Sequence, residues 1–119
     1  MDVNRRGIGG RYEELAAAYL KEQGFQVIEQ NYHCRMGEID LIAREHEYLV
    51  FVEVKYRENH KGGGPLAAVN YRKQRRISRV ARYYLVTKLH TVDIPCRFDV
   101  VGITPDGIEH LRAAFDYKE

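Results

Sequence analysis

Residues 37–55 read GEIDLIAREHEYLVFVEVK, two apolar segments that carry charged residues at matched positions. Side chains two residues apart on a strand share one face of a sheet. Glu38 and Asp40 therefore share a face of the first segment. Glu53 and Lys55 share a face of the second segment in the same way. The pattern predicts two neighbouring strands with charges where an apolar strand normally has none.

A polar turn at residues 45–47 joins these strands and predicts an antiparallel hairpin. One register that a short loop allows sets Asp40 opposite Glu53, and Glu38 opposite Lys55. Opposed carboxylates about 5 Å apart repel each other unless a proton or a metal cation lies between them. The register therefore indicates a divalent metal site, in which Glu38 would neutralise Lys55 or hold a second ion. The alternative is a solvent-facing hairpin, on which alternating Glu and Lys are ordinary.

An N-terminal helix supplies a further carboxylate. Residues 11–23 are strong helix formers, and Gly24 is placed to end the helix. The predicted apolar stripe consists of Tyr12, Leu15, Ala16, Tyr19 and Leu20. Glu14 falls on the outer face of this helix, whereas Glu13 lies at the edge of the stripe. Glu13 is therefore the helix carboxylate that we expect to face the sheet.

These residues resemble the PD-(D/E)XK nuclease signature, which places a carboxylate on a helix, an Asp on a strand and Glu-x-Lys on the next strand. Glu13, Asp40 and Glu53-Val54-Lys55 match it in that order. A wider set of blocks resembles the YraN family of bacterial proteins over roughly residues 10–103. The blocks are Glu13-Glu14-Leu15-Ala16, Gly24-Phe25, Asn31-Tyr32, and residues 37–43, 51–55, 72–76 and 98–101.

The resemblance implies a restriction-endonuclease-like fold, similar to that of archaeal Holliday-junction resolvases, and endonuclease-like activity. It implies that Asp40 and Glu53 bind Mg²⁺ or Mn²⁺ together with the Val54 carbonyl, and that Glu13 contributes directly or through water. Lys55 would orient the attacking water or help to deprotonate it. Two positions depart from the family pattern. Tyr56 stands where a small hydroxyl residue is common, and Tyr12 stands where a Gly is usual.

A second amphipathic helix is predicted within residues 70–90, with Asn70 as its N-cap. Its outward side carries Arg72, Arg75, Arg76, Arg79 and Arg82. This side suits nucleic-acid phosphates, and the alternative is a solvated basic face. Lys73 and Gln74 fall on the inward side. Buried polar groups need partners, so we expect them to face the metal centre or a scissile phosphate rather than only to extend towards solvent.

A glycine-rich loop at residues 56–65 connects the hairpin to this helix. It begins just after Lys55, so Arg57, His60 and Lys61 are candidates for contact with phosphates. The alternative is a plain surface connection. The loop does not continue into the Gly-Lys-Ser/Thr sequence of a nucleotide-binding loop.

Composition favours a soluble intracellular domain. The 119 residues are 45% hydrophobic and 30% charged, with a net charge of +2. Cys34 and Cys96 lie far apart without a Cys-x-x-Cys partner, which argues against structural zinc and for a reducing compartment. No apolar run suits export or a membrane span. The expected location is the cytoplasm.

The order of elements predicts an α/β sandwich with a mixed central sheet flanked by helices. The strands are expected at residues 25–32, 37–43, 48–55, 98–103 and 108–111. The predicted organisation is a flexible N-terminus (1–10), one nuclease-like domain (11–111) and a C-terminal tail (112–119).

The function expected from the sequence is a metal-dependent endonuclease that acts on structured or branched nucleic acid, DNA rather than RNA. One alternative is a nucleic-acid-binding module, or a recruiting adaptor, built on a nuclease-like fold without catalysis. Another is an interaction protein that assembles through a surface rich in its nine Tyr. Symmetric junction cleavage would need a homodimer.

Overall fold

The fold is a five-stranded sheet with one long helix on each face, in a computed structural model that describes residues 3–59 and 61–119. The elements are α1 (Val3–Glu22), β1 (Gln26–Cys34), β2 (Gly37–Glu45), β3 (Tyr48–Tyr56), α2 (Tyr71–Tyr84), β4 (Cys96–Thr104) and β5 (Gly107–Phe115). The predicted α/β class is confirmed, and the arrangement is compatible with a restriction-endonuclease-like sandwich. Within these residues no helix has the length and apolar character needed to cross a membrane.

The sheet is mixed, with the strand order β1-β2-β3-β4-β5. Neighbouring strands are antiparallel except β3 and β4, which are parallel. A parallel pair needs a long crossover connection, and α2 lies in the chain between these two strands. Residues 49–53 of β3 are buried without interruption, as expected for a central strand covered on both faces.

The predicted register of the β2–β3 hairpin is observed from Glu45 opposite Tyr48 to Leu41 opposite Val52. His46, in the turn, has a φ of 55°. A left-handed residue lets a short loop follow the right-handed twist of the two strands. The predicted turn at residues 45–47 is therefore confirmed.

Two hydrophobic cores lie on opposite faces of the sheet. On one face α1 packs through Ala16, Ala17 and Leu20 against the central strands. The other face is covered by α2 and the segment that follows it. Leu15, which the predicted stripe included, is 47% exposed, whereas Ala17 is buried. Two adjacent alanines towards the sheet let the helix backbone approach closely, and this turns Leu15 outwards.

Gly24 ends α1 as predicted, with a φ of 96°. The Phe25 N–H donates to the Leu20 carbonyl at 2.9 Å, and the Gly24 N–H donates to the Lys21 carbonyl at 3.0 Å. This pair of bonds is a Schellman cap, which satisfies carbonyls that the helix itself leaves free. Phe25 then joins the α1 core and starts the chain into β1.

Several boundaries differ from the sequence prediction. Helix α1 begins at Val3, so residues 3–10, predicted as a flexible N-terminus, are helical; Met1 and Asp2 lie outside the described residues. Strand β1 runs to Cys34 rather than ending at residue 32. Strand β5 continues to Phe115, into the region predicted as a tail. Pairing of β5 with β4 over most of its length provides backbone partners that no local pattern reveals.

Asp99 of β4 is fully buried and holds β5 in place. Its two carboxylate oxygens accept hydrogen bonds from Arg97 Nε at 3.0 Å, His110 Nε2 at 2.8 Å and the Ala113 N–H at 3.0 Å. Tyr19 Oη lies 3.3 Å from His110 Nδ1 and links this network to α1. Burial by itself would raise the pKa of Asp99, but the bonds from His110, Arg97 and Ala113 hold the pKa below its ordinary value.

We expect Asp99→Asn to lower the free energy of unfolding by about 3 kcal/mol, because it removes the charge that faces a buried guanidinium and turns an amide N–H₂ towards existing donors. Urea denaturation at about pH 7 measures the change. Asp106→Asn, in the exposed β4–β5 turn, is the matched control and should leave stability within about 0.5 kcal/mol of the wild type.

The contribution of Asp99 to the free energy of unfolding changes with pH in a defined direction. Because the folded pKa of Asp99 is depressed, its stabilisation is complete above the unfolded pKa of about 3.9 and disappears as the pH falls through the folded value. The difference in the free energy of unfolding between the wild type and Asp99→Asn should therefore become smaller below about pH 4. A difference that stays constant down to about pH 2 would contradict this account.

Candidate functional site

The candidate site lies where β2 and β3 separate. Their pairing ends at Leu41 and Val52, one step before the predicted pairing of Asp40 with Glu53. Beyond that point the Val54 N–H donates to Asp40 Oδ2 at 2.7 Å. A side-chain oxygen thus accepts the bond that a backbone carbonyl would take in a continuous ladder. The predicted neighbourhood is correct, but the strands diverge instead of continuing side by side.

Strand β1 is irregular at the same level. Gln30 pairs with Leu41 and Tyr32 pairs with Ile39, which places Asn31 beside Asp40. Asn31 has a φ of 58°, a left-handed conformation that asparagine tolerates better than most residues. The alternation of β2 also breaks here, because Ile39 packs in the core under α2 and Leu41 in the core under α1. Both irregularities reorient the chain at Asp40.

Glu53 is the centre of the charged cluster. It is 7% exposed, and its Oε2 atom lies 3.3 Å from Lys55 Nζ and 3.3 Å from Lys73 Nζ. Lys73 therefore lies on the inward side of α2, as predicted, and its partner is Glu53. Burial and then the neighbouring Lys55 ammonium lower the pKa of Lys73.

Asp40 has the most perturbed acidity in the cluster. Burial, and then the negative charge of Glu53, raise the pKa of Asp40 to about 8, against the opposing hydrogen bond from Val54. Glu13 also contributes to this rise, so it lies near the cluster as predicted. The pKa of Glu13 is itself raised by burial and then by the charges of Glu38 and Glu53. Within this carboxylate cluster, the charge of Glu53 disfavours the ionisation of both Asp40 and Glu13.

Two predicted contacts of this cluster are wrong. Glu38 pairs with His33 of β1, and its carboxylate lies 3.7 Å from the His33 ring in an exposed position, so it does not lie opposite Lys55 as expected. The cause is the divergence of the strands before that level. Gln74 donates from Nε2 to the Val69 carbonyl at 2.9 Å, so it braces the segment before α2 instead of reaching the carboxylates.

The arginines of α2 divide into three groups. Arg72, Arg79 and Arg82 are exposed, as predicted. Arg75 donates from Nε to the Glu119 carbonyl at 3.1 Å and fastens the C-terminus. Arg76 is exposed but lies against Gly37 at the mouth of the site, where a Cβ on that glycine would come within 3.1 Å of Arg76 Cδ. The predicted N-cap is confirmed, because Asn70 Oδ1 accepts from the Lys73 N–H at 2.9 Å.

The loop after β3 lies beside a cavity of about 150 Å³. Arg57 lines this cavity together with Lys55, and the Arg57 N–H donates to the Ile103 carbonyl at 2.9 Å. Lys61 is exposed, and His60 lies outside the described residues. Arg57 therefore lines a cavity that shares Lys55 with the site, but it does not line the cleft that contains the carboxylates.

An open cleft of about 780 Å³ surrounds the carboxylates. Its walls include Tyr12 and Glu13 from α1, Lys73, Arg76 and Ile77 from α2, and Asn31, Glu38, Asp40, Glu53, Val54, Lys55 and Tyr56 from the sheet. The two tyrosines that depart from the family pattern, Tyr12 and Tyr56, stack on each other with ring centroids 4.2 Å apart. The sequence identified both positions but gave no signal that they touch.

Comparison with known proteins assigns the chain to a family. The model described as "Uncharacterised protein family UPF0102" matches residues 12–103. A UPF0102 protein of Lachnoclostridium phytofermentans is 49% identical over 114 residues, covering 96% of this chain and 97% of the relative. One from Legionella pneumophila is 48% identical over 108 residues, with 87% and 90% covered. One from Nitrosomonas europaea is 47% identical over 111 residues, with 91% and 92% covered. The chain belongs to the UPF0102 family, which is the YraN family that its motifs resemble.

Proposed function

We propose that this protein is a metal-dependent endonuclease that hydrolyses the phosphodiester backbone of structured or branched DNA. One observation carries the proposal. Asp40, Glu53 and Lys55 meet where two strands diverge, and the pKa of Asp40 is raised to about 8. A partly buried carboxylate that resists ionisation, in an open cleft, is typical of a site that awaits a cation or takes part in proton transfer.

The donor atoms fit a hydrated Mg²⁺ or Mn²⁺. Within residues 3–59 and 61–119 no group of three or more His, Cys, Asp or Glu side chains converges as a ready-made metal cage. Mg²⁺ does not require such a cage, because it keeps several waters and commonly uses one or two carboxylates together with substrate phosphates. Asp40 and Glu53 would be those carboxylates. The Val54 carbonyl would join them, because in an extended strand it points to the same side as the N–H that bonds to Asp40.

The other residues of the cleft suit hydrolysis of a phosphodiester. The ion would stabilise the charge that develops on the scissile phosphate. Lys55, held 3.3 Å from Glu53, would orient the attacking water. Lys73 presents a second ammonium beside the same carboxylate, where a phosphate oxygen could replace Glu53 as its partner. Glu13 closes the α1 side and can hold a water next to the ion.

The exposed arginines of α2 would bind the backbone that leads into the cleft. Arg76 already lies at its mouth, and Arg72 and Arg79 continue the basic surface along the helix. Such contacts neutralise phosphates without reading the sequence of bases.

A binding module without catalysis is the second candidate, supported by this arginine surface, which does not depend on the carboxylates. The cleft argues against it. The carboxylates of the cleft repel, wherever they are ionised, the same phosphates that the arginines attract, and a pure binder gains nothing from that repulsion.

We expect the wild type to cut at least one member of a panel of labelled duplex, flapped, branched and single-stranded DNA and RNA in Mg²⁺ or Mn²⁺. Asp40→Asn and Lys55→Ala should each lower the cleavage rate by on the order of 100-fold or more, because each removes a group that acts on the scissile phosphate or its water. Asp106→Asn is the matched control and should cut at the wild-type rate. If the wild type binds the panel but cuts nothing, the binding module is the correct function.

Metal binding can be tested without any substrate. Because the folded pKa of Asp40 is raised, its ionisation opposes folding increasingly from about pH 4 up to about pH 8. Asp40→Asn retains an acceptor for the Val54 N–H and should therefore melt at a higher temperature than the wild type in EDTA at about pH 8. The difference in melting temperature between Asp40→Asn and the wild type should become smaller towards about pH 4.

Adding Mn²⁺ or Mg²⁺ at about pH 8 should raise the melting temperature of the wild type and leave that of Asp40→Asn unchanged, because only the folded carboxylate pair binds the ion. Differential scanning fluorimetry measures both effects. Equal shifts in the two proteins would place the ion elsewhere and remove Asp40 from the metal site.

The basic surface makes a separate prediction about salt. Arg79→Ala should reduce the slope of log Kd against log salt by about one for DNA binding, because one phosphate contact is lost. Lys21→Ala removes an exposed cation at the far end of α1 and should leave the slope unchanged. Equal effects of the two substitutions would show that α2 is not the phosphate-binding surface.

A further inference from the structure

The stacked tyrosines occupy the α1 side of the cleft. Their rings are nearly parallel, with an interplanar angle of 11° and centroids 4.2 Å apart. Tyr12 directly precedes Glu13, and Tyr56 directly follows Lys55, so the stack lies one residue from the proposed site on two different elements. Because side chains alternate along β3, Lys55 faces α2 and Tyr56 faces α1.

The stack lies at the edge of the α1 core, against which Tyr12 packs, and is only partly covered. Tyr56 keeps 38% of its surface exposed even though Tyr12 covers one face of its ring. Both rings line the open cleft that contains Asp40 and Glu53. This exposure leaves the pair open to contact from the cleft, whereas Ala16 and Leu20 of the same helix are covered.

The opposite wall of the cleft has a different chemistry. Lys73 and Arg76 of α2 line that side, and each carries a positive charge suited to phosphate oxygens. A nucleotide whose phosphate lies beside these cations and the carboxylates would extend its base across the cleft, towards the tyrosines. The cleft volume of about 780 Å³ is within the range of sites that hold a small molecule of this size.

We propose that Tyr12 and Tyr56 form a stacking platform for an unpaired nucleobase next to the scissile phosphate. This inference rests on the proposed function and narrows its substrate. In a continuous duplex the neighbouring base pairs cover both faces of every base, so no face is free to stack on protein. The preferred substrate class is therefore nucleic acid with an unpaired or splayed nucleotide at the cut, as at a flap, a branch or a single strand.

The test compares Tyr56→Ala with Tyr56→Phe, both in an Asp40→Asn background. This background is expected not to cut the DNA during the measurement. Fluorescence anisotropy measures the Kd for a labelled duplex with a single-stranded flap and for a fully paired duplex of equal length. Tyr56→Ala should weaken binding to the flapped DNA by about tenfold and to the paired duplex by less than about twofold. Tyr56→Phe retains the ring and should bind both like its parent.

A direct readout comes from 2-aminopurine placed at the unpaired position next to the junction. Its fluorescence should fall on binding to the Asp40→Asn parent and to Tyr56→Phe, but not on binding to Tyr56→Ala. Unchanged far-ultraviolet circular dichroism in all variants would show that they are folded.

The outcomes separate this inference from the proposed function. If Tyr56→Ala weakens both DNAs equally, or neither, while metal-dependent cleavage by the wild type still requires Asp40, the platform is wrong and the nuclease stands. If the wild type neither binds nor cuts any of the nucleic acids in the panel, both proposals are overturned.

Discussion

The hydrogen bond from the Val54 N–H to the Asp40 carboxylate determines the rest of the site. It replaces a bond between two backbones, so β2 and β3 stop pairing at a defined residue and the space between them opens. A buried N–H without a partner would be costly, and Asp40 removes that cost while remaining at the opening. The left-handed Asn31 on the neighbouring strand adapts β1 to the same irregularity. The cleft is therefore a consequence of one altered pairing in an otherwise regular sheet.

The same arrangement carries an energetic penalty that a purely structural role would not explain. The charge of Glu53 raises the cost of ionising Asp40 and Glu13, while two ammonium groups share one oxygen of Glu53. Burial of charges in this way seldom stabilises a fold. Asp99 shows the contrasting case, because its donors surround it and hold its pKa low. Carboxylates that lack enough donors or cations to balance their charge are expected where function, rather than stability, determines the residues.

Local signals predicted the parts of the site that depend on local physics. The polar turn and the alternation of β3 were enough to place Glu53 in the neighbourhood of Asp40, and Asn70 was recognisable as a cap because capping needs only nearby residues. The strand divergence could not be predicted, since it depends on a side-chain oxygen taking the place of a backbone carbonyl, and with it the position of Glu38 was missed. The partners of Asp99 were also missed because they come from β5. Its position inside an apolar strand was the available signal that such partners exist.

The end of β3 explains why the cleft has two unlike walls. Alternation along a strand sends successive side chains to opposite faces, so Glu53 and Lys55 point to α2 and Tyr56 points to α1. In a strand buried on both faces this alternation would be invisible, because both faces would be apolar. Here β2 has separated from β3, and the two faces open into a single space. Charged groups and aromatic rings that belong to opposite sides of the sheet can therefore meet one ligand, with its anionic part towards α2 and its flat apolar part towards α1.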